Sequence, residues 1–195
     1  MSIKYNSKIF VVSGPGGAGK TTLVNKLLRK KSLKNSLIKG ITVTTRHKRP
    51  REKEGRDYFF VSQAKFLDLK RRGFLLESQK IVNNYYGTPK KFWRQAKDEK
   101  KDLVLCIDVK GGMYLKKHFK LGRIVTIFIS APTEHELLSR LRKRADSPEI
   151  ITERIHLAKK ELCYAKHYDY LVINSKIEET LKTLETIFLD VQKRR

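Results

Sequence analysis

Several short segments of the chain are apolar at almost every position, and helical patterns lie between them. Strands buried on both faces have this character, whereas strands with one wet face alternate apolar and polar residues. We therefore predict an α/β fold in which a parallel sheet is flanked by helices. The predicted strands of this sheet are Lys8–Ser13, Leu103–Ile107, Ile124–Ile129 and Tyr170–Ile173.

Capping patterns mark where several helices begin. Thr133–Glu136 and Ser175–Glu178 have the spacing of a capping box, and Ser147–Pro148 pairs an N-cap residue with proline at the first helical position. Apolar residues then recur every three or four positions, which indicates helices that bury one face. A further helix is expected from about Gly19 to Lys31, directly after a glycine-rich turn.

The segment from about residue 39 to residue 88 has shorter apolar runs than the rest of the chain. We interpret it as a lobe inserted into a single domain of 195 residues, whose core comprises about residues 8–38 and 89–195. The lobe's predicted elements are strands Ile41–Thr45, Tyr58–Val61 and Leu75–Val82 around helix Ser62–Arg72.

The charge of the chain is strongly unbalanced. Lysine and arginine total 44 against 20 acidic residues, which gives a formal net charge of +24. Such a field attracts any polyanion, so a nucleic-acid binder and an enzyme for anionic substrates are both compatible with it. The basic residues are spread along the chain, and composition alone leaves the two alternatives open.

Neither a membrane span nor a disulfide is expected. The chain contains no apolar run long enough to cross a bilayer, and its first residues lack the pattern of a secretory signal. Cys106 and Cys163 have no metal-ligand spacing, and we expect both to be buried reduced thiols. These features favour a cytoplasmic protein.

A glycine-rich turn between the first strand and the first helix fits the pattern G-x-x-x-x-G-K-[ST] at every required position. In this motif backbone N–H groups surround the phosphates of a nucleotide, the lysine adds a positive charge, and the hydroxyl can bind Mg²⁺. The sequence therefore predicts a P-loop that binds ATP with Mg²⁺, and Lys20 and Thr21 are its lysine and its hydroxyl. The predicted ATP-binding residues are Gly14, Pro15, Gly16, Gly17, Ala18, Gly19, Lys20 and Thr21.

Motifs outside the P-loop resemble those of guanylate kinases in order and spacing. Thr42–Glu52 and Gly55–Val61 are similar to that family's GMP-binding segment, Asn83–Pro89 to its tyrosine turn, and Ile107–Gly111 to an aspartate-containing strand end. The resemblance covers essentially the whole chain, from about Ile9 to the last helix. It implies transfer of the ATP γ-phosphate to GMP or dGMP by a P-loop NTPase fold.

The resemblance also implies roles for individual residues. Glu77 would accept hydrogen bonds from guanine, and Thr42, Gly87, Thr88 and Asp108 would lie at the base or around it. The GMP phosphate would be held by Arg46, Arg49, Tyr58 and Tyr86. Without the resemblance, ordinary surface arginines are a strong alternative for Arg46 and Arg49 in so basic a chain, and a solvated carboxylate at a strand end would be the better explanation of Glu77.

A lid over about residues 140–155 is a further implication. Arg140, Arg144 and Arg154 would belong to this lid and its flanking helices, and would act in catalysis with Lys20 and Arg46. Phosphoryl transfer needs such charge, because the transferring group is crowded with negative oxygens. Mg²⁺ would be bound by Thr21, with Asp108 contributing through a water molecule.

The chain departs from the family pattern at a few positions. Guanylate kinases usually have aspartate where this chain has Cys106, which lies on the same face of its strand as Asp108. This change removes a carboxylate from the expected metal region. Lys110 replaces a usual glutamine, and Gly16 a common serine.

Three alternatives differ from the kinase hypothesis. A catalytically silent guanylate-kinase-like module would bind phosphorylated partners, but such modules typically lose the P-loop. A related kinase could use another acceptor, such as a sugar phosphate. Nucleic-acid binding has no signature beyond charge, so we expect no specific nucleic-acid partner and no membrane partner. A monomer or a homodimer is expected.

Overall fold

The computed structural model describes residues 6–50, 52–142 and 148–194. Arg144 and Ser147 lie outside these ranges, and for Arg154 the backbone is described but the side chain is not. The strands are β1 (Ile9–Ser13), β2 (Leu37–Lys39), β3 (Val43–Thr44), β4 (Phe59–Phe60), β5 (Leu75–Ile81), β6 (Asn84–Pro89), β7 (Asp102–Cys106), β8 (Ile124–Ser130) and β9 (Tyr170–Ile173). The helices are α1 (Lys20–Leu27), α2 (Gln63–Arg71), α3 (Lys90–Asp98), α4 (Val109–His118), α5 (Glu134–Arg142), α6 (Pro148–Leu162) and α7 (Ile177–Lys193).

A parallel sheet of five strands forms the centre of the molecule, in the order β2-β7-β1-β8-β9. All five residues of β1 are buried, because strands flank it on both sides and helices cover both faces. On one face, Phe10 of β1 stacks on Phe188 of α7 with 4.0 Å between ring centroids. The continuous apolar runs in the sequence therefore correspond to a sheet that is covered on both faces.

The register of the sheet places the functional loops together. Val12 of β1 lies opposite Cys106 of β7 and Ile127 of β8. Because the strands are parallel, the segments that follow β1 and β7 leave the sheet at the same edge. Ligands of open parallel sheets bind at this edge.

A second sheet has four strands in the order β4-β3-β6-β5, and it lies within residues 43–89. The hairpin β5–β6 turns at Val82 and Asn83, where Val82 has a φ of 53°. The tyrosine segment expected as a turn is instead strand β6, and this prediction was wrong. Tyr86 pairs with Thr44 on one side and with Gln79 on the other, so the segment is held in a ladder on both edges.

The helix starts agree with the sequence at one capping box and differ at the other. The amide of Glu136 donates to Thr133 Oγ1 at 3.1 Å, as a cap at Thr133 requires. The final helix begins one residue later than expected, because Lys176 occupies the N-cap position and its side chain makes no capping bond. No helix in the described parts of the chain has the length and the apolar character that crossing a bilayer requires.

Candidate functional site

The main pocket lies between the carboxyl edge of the parallel sheet and the four-stranded sheet. It has a volume of about 670 Å³. The P-loop and the end of β7 form one side of it, β5, β6 and the segment around residues 46–50 form another, and α6 contributes a third. The structure thus brings the predicted ATP-binding loop and most of the predicted GMP-binding residues to one cavity.

The P-loop connects β1 directly to α1 and depends on its glycines. Gly14 has a φ of 134° and Gly19 one of 88°, which are values that residues with a Cβ rarely adopt. A Cβ at Gly14 would also collide with the backbone oxygen of Ile129, and one at Gly19 would lie 2.5 Å from Asn174 Nδ2. The loop therefore tolerates no side chain at these two positions.

The lysine and the threonine of the P-loop both face this pocket. The ammonium group of Lys20 donates to the backbone oxygens of Gly14 at 2.6 Å and of Pro15 at 2.9 Å. Thr21 Oγ1 lies 3.9 Å from Cys106 Sγ. The loop thus presents a cation and a hydroxyl at the start of α1, where the helix dipole also favours an anion.

Glu77 on β5 is a buried carboxylate with one satisfied oxygen. Only 4% of the residue is exposed, and Oε1 accepts a 2.7 Å hydrogen bond from Thr88 Oγ1. Among the described residues, Oε2 has no hydrogen-bond partner. Burial raises the pKa of Glu77 to about 7, the Thr88 hydroxyl opposes that rise, and the charge of Asp108 adds to it. The carboxylate lacks donors for Oε2, which a ligand can supply.

Asp108 follows β7 and caps α4. Its Oδ1 accepts from the amides of Lys110 at 2.9 Å and Gly111 at 3.1 Å. Burial raises the pKa of Asp108, although these amide hydrogen bonds oppose the rise. A Cβ at Gly111 would lie 2.8 Å from Glu77 Oε2 and 3.3 Å from Asp108 Oδ2, so the two carboxylates meet at the start of α4.

Arg46 lies against two tyrosines on the other side of the pocket. Its guanidinium is 5.3 Å from the Tyr58 ring centroid, and the rings of Tyr58 and Tyr86 are 6.3 Å apart. Burial raises the pKa of Tyr58 to about 12, so its hydroxyl keeps its proton and can donate to an anion. Arg49 lines the same pocket. One arginine, two hydroxyls and a second arginine are a suitable set for a phosphate.

Glu52 orients this cluster, and the sequence interpretation assigned it no role. Arg46 Nη2 donates to both of its carboxylate oxygens, at 2.7 and 3.0 Å, and the amide of Arg49 donates to Oε2 at 2.9 Å. Burial alone would raise the pKa of Glu52, but the hydrogen bonds from Arg46 and Arg49 lower it. No pattern in the sequence indicates this pair, because both residues lie in an irregular segment where spacing predicts no contact.

Thr88, Gly87 and Arg140 are predicted site residues that do not line the main pocket. Thr88 affects the pocket through its hydrogen bond to Glu77. Gly87 is packed beneath the pocket, because a Cβ at this glycine would lie 2.9 Å from Leu75 Cδ1. Arg140 lines a smaller pocket of about 410 Å³ behind the P-loop and donates to Glu136 at 2.9 Å. Thr42 lines the main pocket.

The cysteines do not match the expectation of two buried thiols. Cys163 is exposed, and Cys106 is half-buried and lines the main pocket. The cause is their position, since Cys106 ends a strand at the open edge of the sheet and Cys163 lies just beyond the last turn of α6. The prediction was therefore wrong for both.

Comparison with known proteins decides the family. The family model described as guanylate kinase matches residues 6–191. The chain belongs to the guanylate kinase family. A guanylate kinase from Anaplasma phagocytophilum is 39% identical over 186 residues, and the match covers 95% of this chain and 87% of the relative. One from Caldanaerobacter subterraneus is 39% identical over 191 residues, with 97% and 90% covered.

Solved structures agree. The crystal structure of guanylate kinase from Anaplasma phagocytophilum has a TM-score of 0.77 and 33% identity, and the match covers 96% of this chain and 87% of that structure. The predicted family and the α/β P-loop fold are thereby confirmed.

The donor set near Thr21 is suited to the Mg²⁺ that guanylate kinases are expected to use. Mg²⁺ keeps several water ligands and needs one or two protein oxygens beside the nucleotide phosphates. Thr21 supplies such an oxygen, whereas the neighbouring Cys106 thiol is a poor ligand for a hard cation. In the described ranges, no cluster of three or more His, Cys, Asp or Glu side chains forms a metal cage. The residues fit an ion that arrives with its nucleotide.

Proposed function

We propose that this guanylate-kinase family member transfers the γ-phosphate of ATP to GMP or dGMP in the main pocket, producing ADP and the corresponding diphosphate. The observation that carries the proposal is the pairing of two groups in one cavity. An intact P-loop faces the pocket from one side, and the buried Glu77 carboxylate with its unpartnered Oε2 lies on another. The first group takes phosphates, and the second selects a base.

Guanine selection follows from the chemistry of Glu77. Guanine presents two neighbouring donors, N1–H and the 2-amino group, whereas adenine presents an acceptor at N1. A carboxylate oriented by Thr88 pairs with both guanine donors, and adenine would leave it buried and unpaired. Leaving a buried charged acceptor without a donor costs about 1–3 kcal/mol or more, which corresponds to a preference of about fivefold to more than a hundredfold.

The acceptor phosphate would be held by the arginine–tyrosine cluster. Arg46 and Arg49 supply positive charge, and the hydroxyls of Tyr58 and Tyr86 donate hydrogen bonds. The Arg46–Glu52 ion pair fixes the guanidinium before the substrate arrives, which lowers the entropy lost on binding. No general base is needed, because an oxygen of the GMP phosphate is already ionised and can attack the γ-phosphorus in line.

The donor nucleotide would lie on the P-loop. The backbone N–H groups of residues 14–19 and the ammonium of Lys20 would bind its β- and γ-phosphates. Thr21 would bind Mg²⁺, with Asp108 through water, and the ion would neutralise charge on the phosphates. We assign Arg140, Arg144 and Arg154 to a lid over about residues 140–155, where they would cover the transferring group and exclude water.

The experiment that tests the proposal is an acceptor screen. ADP release from ATP and Mg²⁺ is measured with purified protein and, separately, GMP, dGMP, AMP, CMP, UMP and ribose 5-phosphate. We expect rapid turnover with GMP and dGMP alone. Silence with every acceptor, in a protein that still binds GMP, would indicate the catalytically silent module instead.

The remaining expectations complete the proposal. We infer a cytoplasmic enzyme that acts as a monomer or homodimer and has no specific nucleic-acid or membrane partner. With a net charge of +24, binding to nucleic acid should be independent of sequence and should weaken steeply with salt. Binding that is sequence-specific and insensitive to salt would contradict this part.

A further inference from the structure

Asn174 is a buried residue whose side chain contacts the P-loop, and the reaction described so far gives it no role. It follows directly after β9 and is 4% exposed. Its backbone N–H donates to the backbone oxygen of Ser130, the last residue of β8, at 2.7 Å. The strands themselves therefore fix Asn174 at the carboxyl edge of the parallel sheet, where the P-loop also leaves it.

The side chain of Asn174 reaches the peptide unit between Ala18 and Gly19. Its Nδ2 donates to the backbone oxygen of Ala18 at 2.8 Å, across 156 positions of sequence. A carbonyl oxygen only accepts hydrogen bonds, so the side-chain atom that faces it is the nitrogen. Oδ1 then lies 3.2 Å from the Thr180 hydroxyl, which also donates to the backbone oxygen of Lys176 at 2.8 Å. Both ends of the Asn174 side chain thus have polar partners.

The same side chain packs against Gly19. A Cβ at Gly19 would lie 2.5 Å from Asn174 Nδ2, so the two residues fit each other only because position 19 is glycine. Ala18 is fully buried, whereas Gly19 is half-buried and lines the main pocket. Asn174 lines the smaller pocket behind the P-loop, and its side chain contacts the loop from there.

The planarity of the peptide unit turns this contact into a direction for the N–H of Gly19. The C=O of Ala18 and the N–H of Gly19 belong to one peptide unit, and none of the peptide bonds in the described ranges is cis. In a trans peptide the C=O and the N–H point in opposite directions. Because the C=O points to Asn174, the N–H of Gly19 points away from it. This N–H lies at the start of α1, where the helix dipole favours an anion.

We propose that Asn174 is a positioning residue for ATP, because it holds the C=O of Ala18 and thereby aims the N–H of Gly19 at the phosphates. Glycine has more backbone freedom than any other residue, so Gly19 alone does not define the direction of its N–H. The hydrogen bond from Asn174 selects one orientation before ATP arrives, which lowers the entropy lost on binding. This inference rests on the proposed function, in which the P-loop binds the phosphates of ATP.

Two substitutions separate the donor from the space that the side chain fills. Asn174→Leu keeps the number and branching of the side-chain atoms but has no donor. Asn174→Ala leaves room in which a water molecule from the smaller pocket can donate to Ala18. We expect ATP affinity to fall about tenfold in Asn174→Leu and about threefold in Asn174→Ala. The opposite order would overturn the proposal, because a residue that only fills space is replaced better by leucine than by alanine.

Inorganic tripolyphosphate is the second ligand, because it has the phosphates of ATP and no base. Each ligand is titrated with Mg²⁺ by calorimetry, without an acceptor, at about 0.15 M salt to screen the surface charges. Asn174→Leu should weaken the binding of both ligands by the same factor of about ten. In ADP-release assays its KM for ATP should rise, while its KM for GMP stays within about twofold. A loss for ATP alone would overturn the proposal, since Asn174 would then act on the nucleoside, and so would an equal rise in both KM values.

Gln192→Leu is the matched control for a loss of stability. The Gln192 side chain also donates to a buried acceptor, Asp102 Oδ2 at 2.8 Å, but Asp102 begins β7 at the opposite edge of the sheet. Asn174→Leu and Gln192→Leu should both lower the melting temperature by a few degrees. Only Asn174→Leu should change ATP or tripolyphosphate affinity by more than about twofold. An equal loss of affinity in the control would overturn the proposal.

The wild-type protein provides a test that needs no substitution. In an amide NMR spectrum, the Gly19 signal should shift when tripolyphosphate and Mg²⁺ are added, because its N–H donates to a phosphate. An unchanged Gly19 signal in a protein that binds tripolyphosphate would overturn the proposal even if the Asn174 variants fail to fold. A wild-type protein that binds ATP but phosphorylates no acceptor would contradict the proposed function alone, since these affinities are measured without an acceptor.

Discussion

The buried carboxylate of Glu77 should reduce the stability of the free protein at high pH. Its pKa rises from an ordinary 4.5 to about 7 on folding. At about 1.36 kcal/mol for each pKa unit, this rise corresponds to about 3 kcal/mol. A carboxyl whose pKa is raised binds more protons in the folded state, so the penalty is absent below the unfolded pKa of 4.5, grows as the pH rises, and is complete above about 7.

The substitution Glu77→Gln removes this pH dependence. The amide nitrogen introduces a buried donor with its own cost of about 1–3 kcal/mol, but that cost is the same at every pH. We therefore expect the free energy of unfolding of Glu77→Gln, relative to wild type, to increase by about 2–3 kcal/mol between pH 5 and pH 8.5.

Urea unfolding at the two pH values, without nucleotide, measures this change. Glu178→Gln is the control, because the Glu178 side chain is 78% exposed and pairs with Lys26 at 3.6 Å. Its relative stability should vary by less than about 0.5 kcal/mol. If the relative stability of Glu77→Gln does not change with pH, the reasoning is refuted, because the Glu77 carboxyl would then have the same pKa in the folded and unfolded protein.

Other substitutions test other parts of the site. Lys20→Ala should lower kcat by at least about a hundredfold with little change in the KM for GMP, measured by ADP release. Glu52→Gln should weaken GMP binding by about tenfold in calorimetry, because Arg46 loses the charge that orients it, while ATP affinity should be unchanged. Cys106→Asp places a carboxylate beside the Thr21 hydroxyl, where it can bind Mg²⁺. This variant should therefore lower the Mg²⁺ concentration for half-maximal rate by several-fold. Manganese binding followed by electron paramagnetic resonance, with a non-hydrolysable ATP analogue, gives a second readout of this change. An unchanged metal requirement, an unchanged GMP affinity or a normal kcat would contradict the respective assignment.

Features set by local sequence were predictable. The P-loop needs a strand, glycines at fixed positions and a helix start, and all three are adjacent between Ile9 and Leu27. The strands of the main sheet were equally clear, because burial on both faces leaves continuous apolar runs such as Ile124–Ser130. Strand β2, with three residues, is too short to give such a signal.

Features set by tertiary contacts were not predictable from local patterns. Asn84–Pro89 has a glycine, a proline and an asparagine, which are typical of turns, but pairing on both sides makes it a strand. Likewise, the Ser175–Glu178 spacing matched a capping box, yet the helix starts one residue later. For Asn84–Pro89, the pairing partners on one side are Val43 and Thr44, which are distant in sequence.

The site required information of both kinds. From the sequence alone, Glu77 is best explained as a solvated carboxylate at a strand end. Its burial, with 4% of the residue exposed, is visible only in the folded structure.

The central proposal is that GMP is phosphorylated in the main pocket, where Glu77 selects it by binding guanine. The most direct test is kcat/KM for GMP and for AMP in the wild type and in Glu77→Gln, at fixed ATP and Mg²⁺. We expect the wild type to prefer GMP strongly, and the substitution to lower kcat/KM for GMP by about a hundredfold while kcat/KM for AMP changes by less than about threefold. An equal effect on both nucleotides, or no effect on either, would contradict it.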